Sequence, residues 1–290
     1  MLFLEEKKNL IQKLYDAIKE KRLLYSIQHK LISSFDFDIN YFIKIILDKP
    51  YLGKLYYSDQ LGDLRKKAII KLLNNNKILK KDFLMLEIGA WAGSSTLLFA
   101  DQLQKVNGKI ITVDIWDNYT EIQGAQYPKN HNRQKMKEAN INDKMYKIFI
   151  HNIKSSGYKN ISFLRMKSEQ ALKLLSNKSF DLIYIDGDHS YKSVKKDIML
   201  AKKKIKKNGV ICGDDLEIEY KNIDKKFTNK NSRLYLDPKK MDYSKLNNGK
   251  SMDHDTGCHL GVSFAVYEEF AKVNMKDGFW CYSQNKNLKI

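Results

Sequence analysis

Proline and cysteine are scarce, with 3 of each in 290 residues. So few prolines, beside only 14 Gly, exclude collagen-like and long low-complexity stretches. Cys212, Cys258 and Cys281 are odd in number and show no C-x-x-C spacing, which speaks against a disulfide framework or a structural zinc site and for thiols. No apolar run approaches the ~20 residues needed to cross a bilayer. Met1-Leu2-Phe3-Leu4 turns charged at Glu5 before a signal-peptide core can develop, so the expectation is a cytoplasmic protein without a membrane span. Arginine is also sparse: only Arg22, Arg65, Arg133, Arg165 and Arg233 occur.

What is abundant is lysine. Lys+Arg 52 against Asp+Glu 34 gives a formal charge of +18 at pH 7. Such an excess invites a nucleic-acid reading through phosphate contacts. Base-edge readers and phosphate clamps, however, rely on the planar fork of Arg, and here the charge is mostly Lys spread along the chain. It reads as a residue-usage bias that makes nucleic acid a disfavoured partner and leaves attraction of an anionic small molecule open. A hydrophobic fraction of 43% suffices for a core, in one elaborated domain or a domain with an appendage.

The chain divides near residue 78. Before it, helical spacing of Leu10, Ile11, Leu14, Ala17 and Ile18, an apolar cluster at Tyr41–Leu47 before Pro50, and a third stretch from about Asp59 to Leu73 predict helices. Leu61, Leu64, Ala68, Ile69 and Leu72 form the inner face of the last of these. Residues 1–78 are expected to be a helical cap, or a contact between copies in a homo-oligomer. From 79 to 290, short apolar runs alternate with helical stretches: 83–89, 109–114, 161–164, 180–186 and 209–214. Five buried strands alternating with helices predict an α/β fold, a mostly parallel, doubly wound sheet covered on both faces. In such sheets, ligands sit beyond the carboxyl ends of the strands.

Those ends carry the informative residues. The first strand runs into Glu87-Ile88-Gly89-Ala90-Trp91-Ala92-Gly93-Ser94-Ser95, a turn whose glycines admit a ligand close to the backbone. It is not G-x-G-x-x-G, which disfavours a dinucleotide. The second strand ends in Asp114, placed to accept hydrogen bonds from ribose hydroxyls. Together they point to a nucleoside-containing cofactor without a phosphate chain, although a tight turn and a helix cap would need the same residues. The fourth and fifth strands end in Asp186-Gly187-Asp188-His189 and Gly213-Asp214-Asp215. Carboxylates so close repel unless a cation or proton intervenes, and Asp186, Asp214 and Asp215 read as ligands of a hard divalent ion; Asp188 serves equally as a helix cap.

These segments, with Ser168-Glu169, resemble class I S-adenosylmethionine-dependent methyltransferases, and more narrowly the metal-dependent O-methyltransferases that include the catechol, caffeoyl-CoA, macrolide-sugar and cephalosporin-tailoring enzymes. The resemblance covers about Leu84 to Leu216, and a weaker likeness to the sugar-modifying branch recurs at His259-Leu260-Gly261-Val262. It implies a Rossmann-like sheet with an N-terminal helical extension. It implies that Gly89, Ala90 and Gly93 make room for the methionine part of S-adenosylmethionine, that Ser95 binds its carboxylate, that Glu87 holds the turn, that Asp114 binds the ribose, and that Ser168 and Glu169 border the adenine. Trp91 and Trp116 would pack on the cofactor or form core. Asp186, also beside the cofactor, would hold Mg2+ or another divalent cation with Asp214 and Asp215, and the ion would acidify the substrate hydroxyl. His189 stands where catechol-type relatives carry a lysine base, and would be the base with Asp188 as substitute, or else pack beside Tyr191.

The polar stretch 236–260 is expected to be a substrate lid. The function expected is O-methylation of a hydroxylated small molecule, with a sugar among the candidates. An RNA methyltransferase and a non-catalytic cofactor-binding or assembly subunit are the alternatives.

Overall fold

The computed structural model describes residues 39–75, 78–117, 132–223, 235–236, 258–284, 288 and 290. The predicted helix at Leu10–Ile18 and most of the expected lid lie outside them. The amphipathic cluster before Pro50 forms α1 (Ile39–Ile46), and α2 spans Asp63–Asn75. The alternating part then runs β1 (Leu84–Ile88), α3 (Ser94–Gln104), β2 (Lys109–Asp114), α4 (Asn132–Ala139), α5 (Lys144–Ser156), β3 (Ile161–Arg165), α6 (Ser168–Leu174), β4 (Phe180–Ile185), α7 (Tyr191–Lys204) and β5 (Ile205–Leu216). After it come β6 (Tyr235–Leu236), β7 (Cys258–His259), α8 (Leu260–Phe270), β8 (Asn274–Lys276) and β9 (Gly278–Tyr282).

The main sheet has seven strands in the order β3-β2-β1-β4-β5-β9-β8. The five strands from β3 to β5 are parallel, as the short apolar runs and helical crossovers require, and β9 and β8 extend the sheet antiparallel. This is the mostly parallel, Rossmann-like α/β arrangement that the alternating runs predict. The chain leaves β1 towards β2 and β3 on one side and resumes with β4 and β5 on the other. The strand order therefore reverses between β1 and β4, and a crevice opens at their carboxyl ends.

Both faces are covered. On one, α2 and α3 supply Ala68, Ile69, Leu72, Phe99 and Leu103 against Met85, Ile110, Tyr184 and Phe279. On the other, Ala171, Leu172, Val194, Ile198, Ala201, Val262 and Ala265 from α6, α7 and α8 pack on Leu86, Ile183, Ile211 and Trp280. Residues of α2 thus share a core with the sheet. Its helix begins at Asp63, later than the spacing suggests, and Leu64 is exposed while Leu73 takes the inward position. A third cluster of Tyr51, Trp116, Met145, Ile148 and Phe149 fills the corner beside the β1 turn. Asn152, fully buried, pins that corner: its Nδ2 donates to the carbonyls of Tyr51 and Ala92, both at 2.8 Å, and its Oδ1 accepts the Tyr51 N–H at 2.6 Å.

Candidate active site

The crevice is a cavity of about 530 Å³. Of the residues singled out in the sequence, Gly89, Trp91, Asp114, Ser168, Glu169, Asp186, Asp188 and His189 line it. Gly89 has to be glycine: its φ is +90°, and a Cβ there would overlap the carbonyl oxygen of Asp186. The first and fourth strands can therefore end side by side, with Asp186 N–H donating to Ile88 O at 2.8 Å.

Asp114 organises the turn. One carboxylate oxygen accepts the N–H groups of Ala90 and Trp91, both at 2.9 Å, and the other accepts that of Trp116 at 2.7 Å. Burial nevertheless pushes its pKa above the usual carboxylate value. Glu87 lies beneath the turn, where Ser95 Oγ and Thr96 Oγ1 donate to it at 2.6 and 2.5 Å. Ser95 and Glu87 thus hold each other under the first turn of α3, and neither lines the cavity. Trp116 is core, packed on Tyr146, Phe149 and Phe163, whereas Trp91 lines the cavity wall and donates its Nε1–H to Tyr57 O at 3.0 Å.

Ser168 opens α6 and donates to Asp197 Oδ1 at 2.7 Å; Asp197, on α7, lines the same cavity and is pushed up to about 7 by burial. Asp188 accepts the Ser190 N–H at 2.9 Å and Ser193 Oγ at 3.1 Å, which fixes the turn before α7, whose N-cap is Ser190 and not Asp188.

At the ends of β4 and β5 the structure redistributes the acids. His189 Nε2 lies 2.9 Å from Asp215 Oδ2 and 3.5 Å from Asp186 Oδ1. Asp214 is turned away from this group: its carboxylate is ion-paired with Nε of Arg65, from α2, and accepts the Asp215 N–H at 2.9 Å. The place beside Asp215 is taken by His259, whose Nδ1 is 3.8 Å from Asp215 Oδ1 and 3.3 Å from Glu217 Oε1. The two imidazole rings have centroids 4.5 Å apart. Close approach of α8 makes this possible, because a Cβ on Gly261 would overlap the His189 carbonyl.

Charge follows geometry here. Burial raises Asp214 to about 7 against the pull of Arg65. Burial acts the same way on Asp215, but His259 and His189 outweigh it and hold that carboxyl well below its ordinary range. Burial opposes the charge on His259, and Asp215 and Glu217 reverse the balance and raise its pKa.

Sequence reasoning placed His259 in a lid and in the short likeness at His259-Leu260-Gly261-Val262 without a ligand role, and gave Arg65 and Glu217 no role. The acids were visible as a run, Asp214-Asp215-x-Glu217, but the partner that each would face depends on α2 and α8, remote in sequence. Among the described residues, the ligand atoms gathered within 4.8 Å of one another are those of His189, Asp215 and His259, not the expected all-oxygen triad of Asp186, Asp214 and Asp215, and two imidazole nitrogens suit a magnesium-type ion poorly.

Comparison with known proteins agrees with this fold. Residues 86–216, from within β1 to the end of β5, match the model of a family described as "Methyltransferase domain". The chain is similar in structure to a SAM-dependent methyltransferase from Aquifex aeolicus, with 14% identity, a TM-score of 0.40, and coverage of 84% of this chain and 95% of that one. It is also similar to a SAM-dependent methyltransferase from Archaeoglobus fulgidus, with 16% identity, a TM-score of 0.32, and coverage of 53% and 56%. An O-methyltransferase from Bacillus cereus, in complex with SAH, gives 16% identity and a TM-score of 0.37 over 71% and 79% of the two chains. No curated protein matches the sequence. That family match spans β1 to β5, and α1, α2 and the segment from β6 to β9 lie outside it.

Proposed function

We propose that this protein transfers the methyl group of S-adenosylmethionine to a hydroxyl oxygen of a small molecule. The observation that carries the reading is the adjacency of two halves of one site. A cavity of about 530 Å³, bounded by Gly89, Asp114 and Ser168, abuts the His189–Asp215–His259 cluster through Asp186 and His189. Its volume lies in the range of small-molecule sites. The glycine turn admits a bulky ligand against the backbone, and Asp114, fixed by three backbone N–H groups, presents its carboxylate at the wall for ribose hydroxyls.

When bound, S-adenosylmethionine supplies an electrophilic methyl on a sulphonium centre. The chain's part is to bind, orient and deprotonate the acceptor. A hydroxyl seated against Asp186 and His189 faces two imidazoles and two carboxylates, so its proton has a place to go at this cluster. Aligning oxygen and methyl converts a bimolecular encounter into an oriented one, the main source of acceleration for such a displacement.

The test is calorimetric titration with S-adenosylmethionine, followed by mass spectrometry of hydroxylated metabolites after incubation with it. A gain of one methyl on an oxygen supports the reading. No binding of the cofactor, or methylation at nitrogen or on RNA alone, refutes it.

A further inference from the structure

We propose that His189, Asp215 and His259 form a binding centre for a divalent transition-metal ion of the zinc or cobalt class, and that Arg65 keeps Asp214 out of it. One nitrogen or oxygen from each of the three residues lies within 4.8 Å of the others. Two imidazoles and a carboxylate are a mixed donor set. Imidazole nitrogen favours zinc and its neighbours, whereas magnesium demands oxygen and near-octahedral geometry.

Three further features support the assignment. First, the oxygen donor that a magnesium site would need is already committed: Asp214 is paired with Arg65, whose Nη2 also lies 3.7 Å from Asp215 and 3.9 Å from Glu217. The guanidinium is seated where Gly278 has no side chain, since a Cβ there would overlap Nη2. The pairing is therefore built into both ends of the fold. Second, Glu217 accepts the backbone N–H of His259 at 3.1 Å and lies 3.3 Å from its Nδ1. Metal-binding histidines are commonly held by a carboxylate in this way. Third, among the described residues Asp186, Asp214, Asp215 and Glu217 bring four carboxylates to this edge beside Arg65 and the two imidazoles, a concentration of negative charge that suits a dication. On this assignment His189 holds the ion instead of acting as base. The use of the ion in activating a hydroxyl rests on the methyl-transfer reading, but its binding does not.

The experiment uses the full chain, stripped with chelator and dialysed. Calorimetry with Zn2+, Co2+, Mn2+ and Mg2+ is combined with visible absorption of the Co2+ form, which reports nitrogen ligation directly. One Zn2+ or Co2+ per chain is expected, bound at least about 100-fold more tightly than Mg2+, with ligand-field bands in the Co2+ spectrum. His259→Ala should weaken Co2+ binding at least about tenfold and alter those bands, while Asp214→Asn, folded by circular dichroism, should leave both within about threefold. Equal or better binding of Mg2+, loss of binding in Asp214→Asn with retention in His259→Ala, or no metal binding by the wild-type chain overturns the proposal. S-adenosylmethionine binding is measured on the same preparation. Cofactor binding without metal binding refutes the centre alone, and metal binding without cofactor binding refutes methyl transfer alone.

Discussion

Glu87→Gln should flatten the pH dependence of stability. Glu87 sits on β1 with no exposed surface, and burial pushes its pKa up to about 7 from 4.5, outweighing the hydrogen bonds from Ser95, Thr96 and Thr112. In the unfolded chain the carboxyl ionises near 4.5, an ordinary glutamate value. Between those two values the folded protein holds a proton that the unfolded chain has released. The contribution to stability is therefore complete below about 4.5 and is lost as the pH rises through about 7. At 1.36 kcal/mol per pH unit, the gap corresponds to about 3 kcal/mol in full, of which roughly 2–3 kcal/mol falls between pH 5 and pH 8.

Glutamine keeps the shape, can accept from one of the two hydroxyls through its Oε1 and donate to the other through its Nε2, and does not titrate. Urea unfolding at pH 5 and pH 8 should show the wild type losing roughly 2–3 kcal/mol more than the variant across that interval. Asp197 and the histidines titrate in both proteins, so their effects cancel in the comparison. Parallel pH profiles for the two proteins would mean that Glu87 is already ionised in the fold, and would refute the reasoning.

Two other substitutions probe the frame of the cavity. Gly89→Ala places a methyl on the Asp186 carbonyl at a φ of +90°, so it should separate β1 from β4 and abolish cofactor binding in a calorimetric titration; unchanged affinity would mean that the turn can relax without closing the crevice. Asn152→Ala strands the Tyr51 N–H and two carbonyls inside the third cluster, and should cost about 2–4 kcal/mol in denaturant unfolding. A loss below 1 kcal/mol would show that water replaces the amide.

The parallel half of the fold was legible because four of its five strands are apolar runs ended by Gly or Asp, and a strand buried on both faces leaves little else for such a run to be; β3, expected to be buried, is instead a partly exposed edge strand ending at Arg165. Lys109–Asp114 was placed to the residue. The antiparallel extension was not legible: Gly278–Tyr282 is short and aromatic, and its pairing with β5 follows from a hairpin after α8 that no local signal announces.

The cavity residues Gly89, Asp114 and Ser168 could be read from their offsets at strand ends. The acceptor side could not, because sequence shows which carboxylates share an edge but not which of them meets a cation from elsewhere in the chain. Arg65 took Asp214, and His259 took the place beside Asp215. For Glu87 and Ser95 the motif was right and the geometry differed: the hydroxyl faces the carboxylate beneath the turn and not the cavity.

The pairing of Arg65 with Asp214 spans 149 residues, and Gly278 stands still later in the chain. Closing so long a loop repays its entropy only after the intervening strands are in place. During synthesis, β1 to β4 can pair while Asp214 is yet to be made, and β9 completes the seat of the guanidinium only after that. The crevice and the acceptor edge therefore mature at different times. A nascent chain can present a formed glycine turn before its acidic edge is balanced, and the order of assembly runs from the Gly89 end of the site to the Asp215 end.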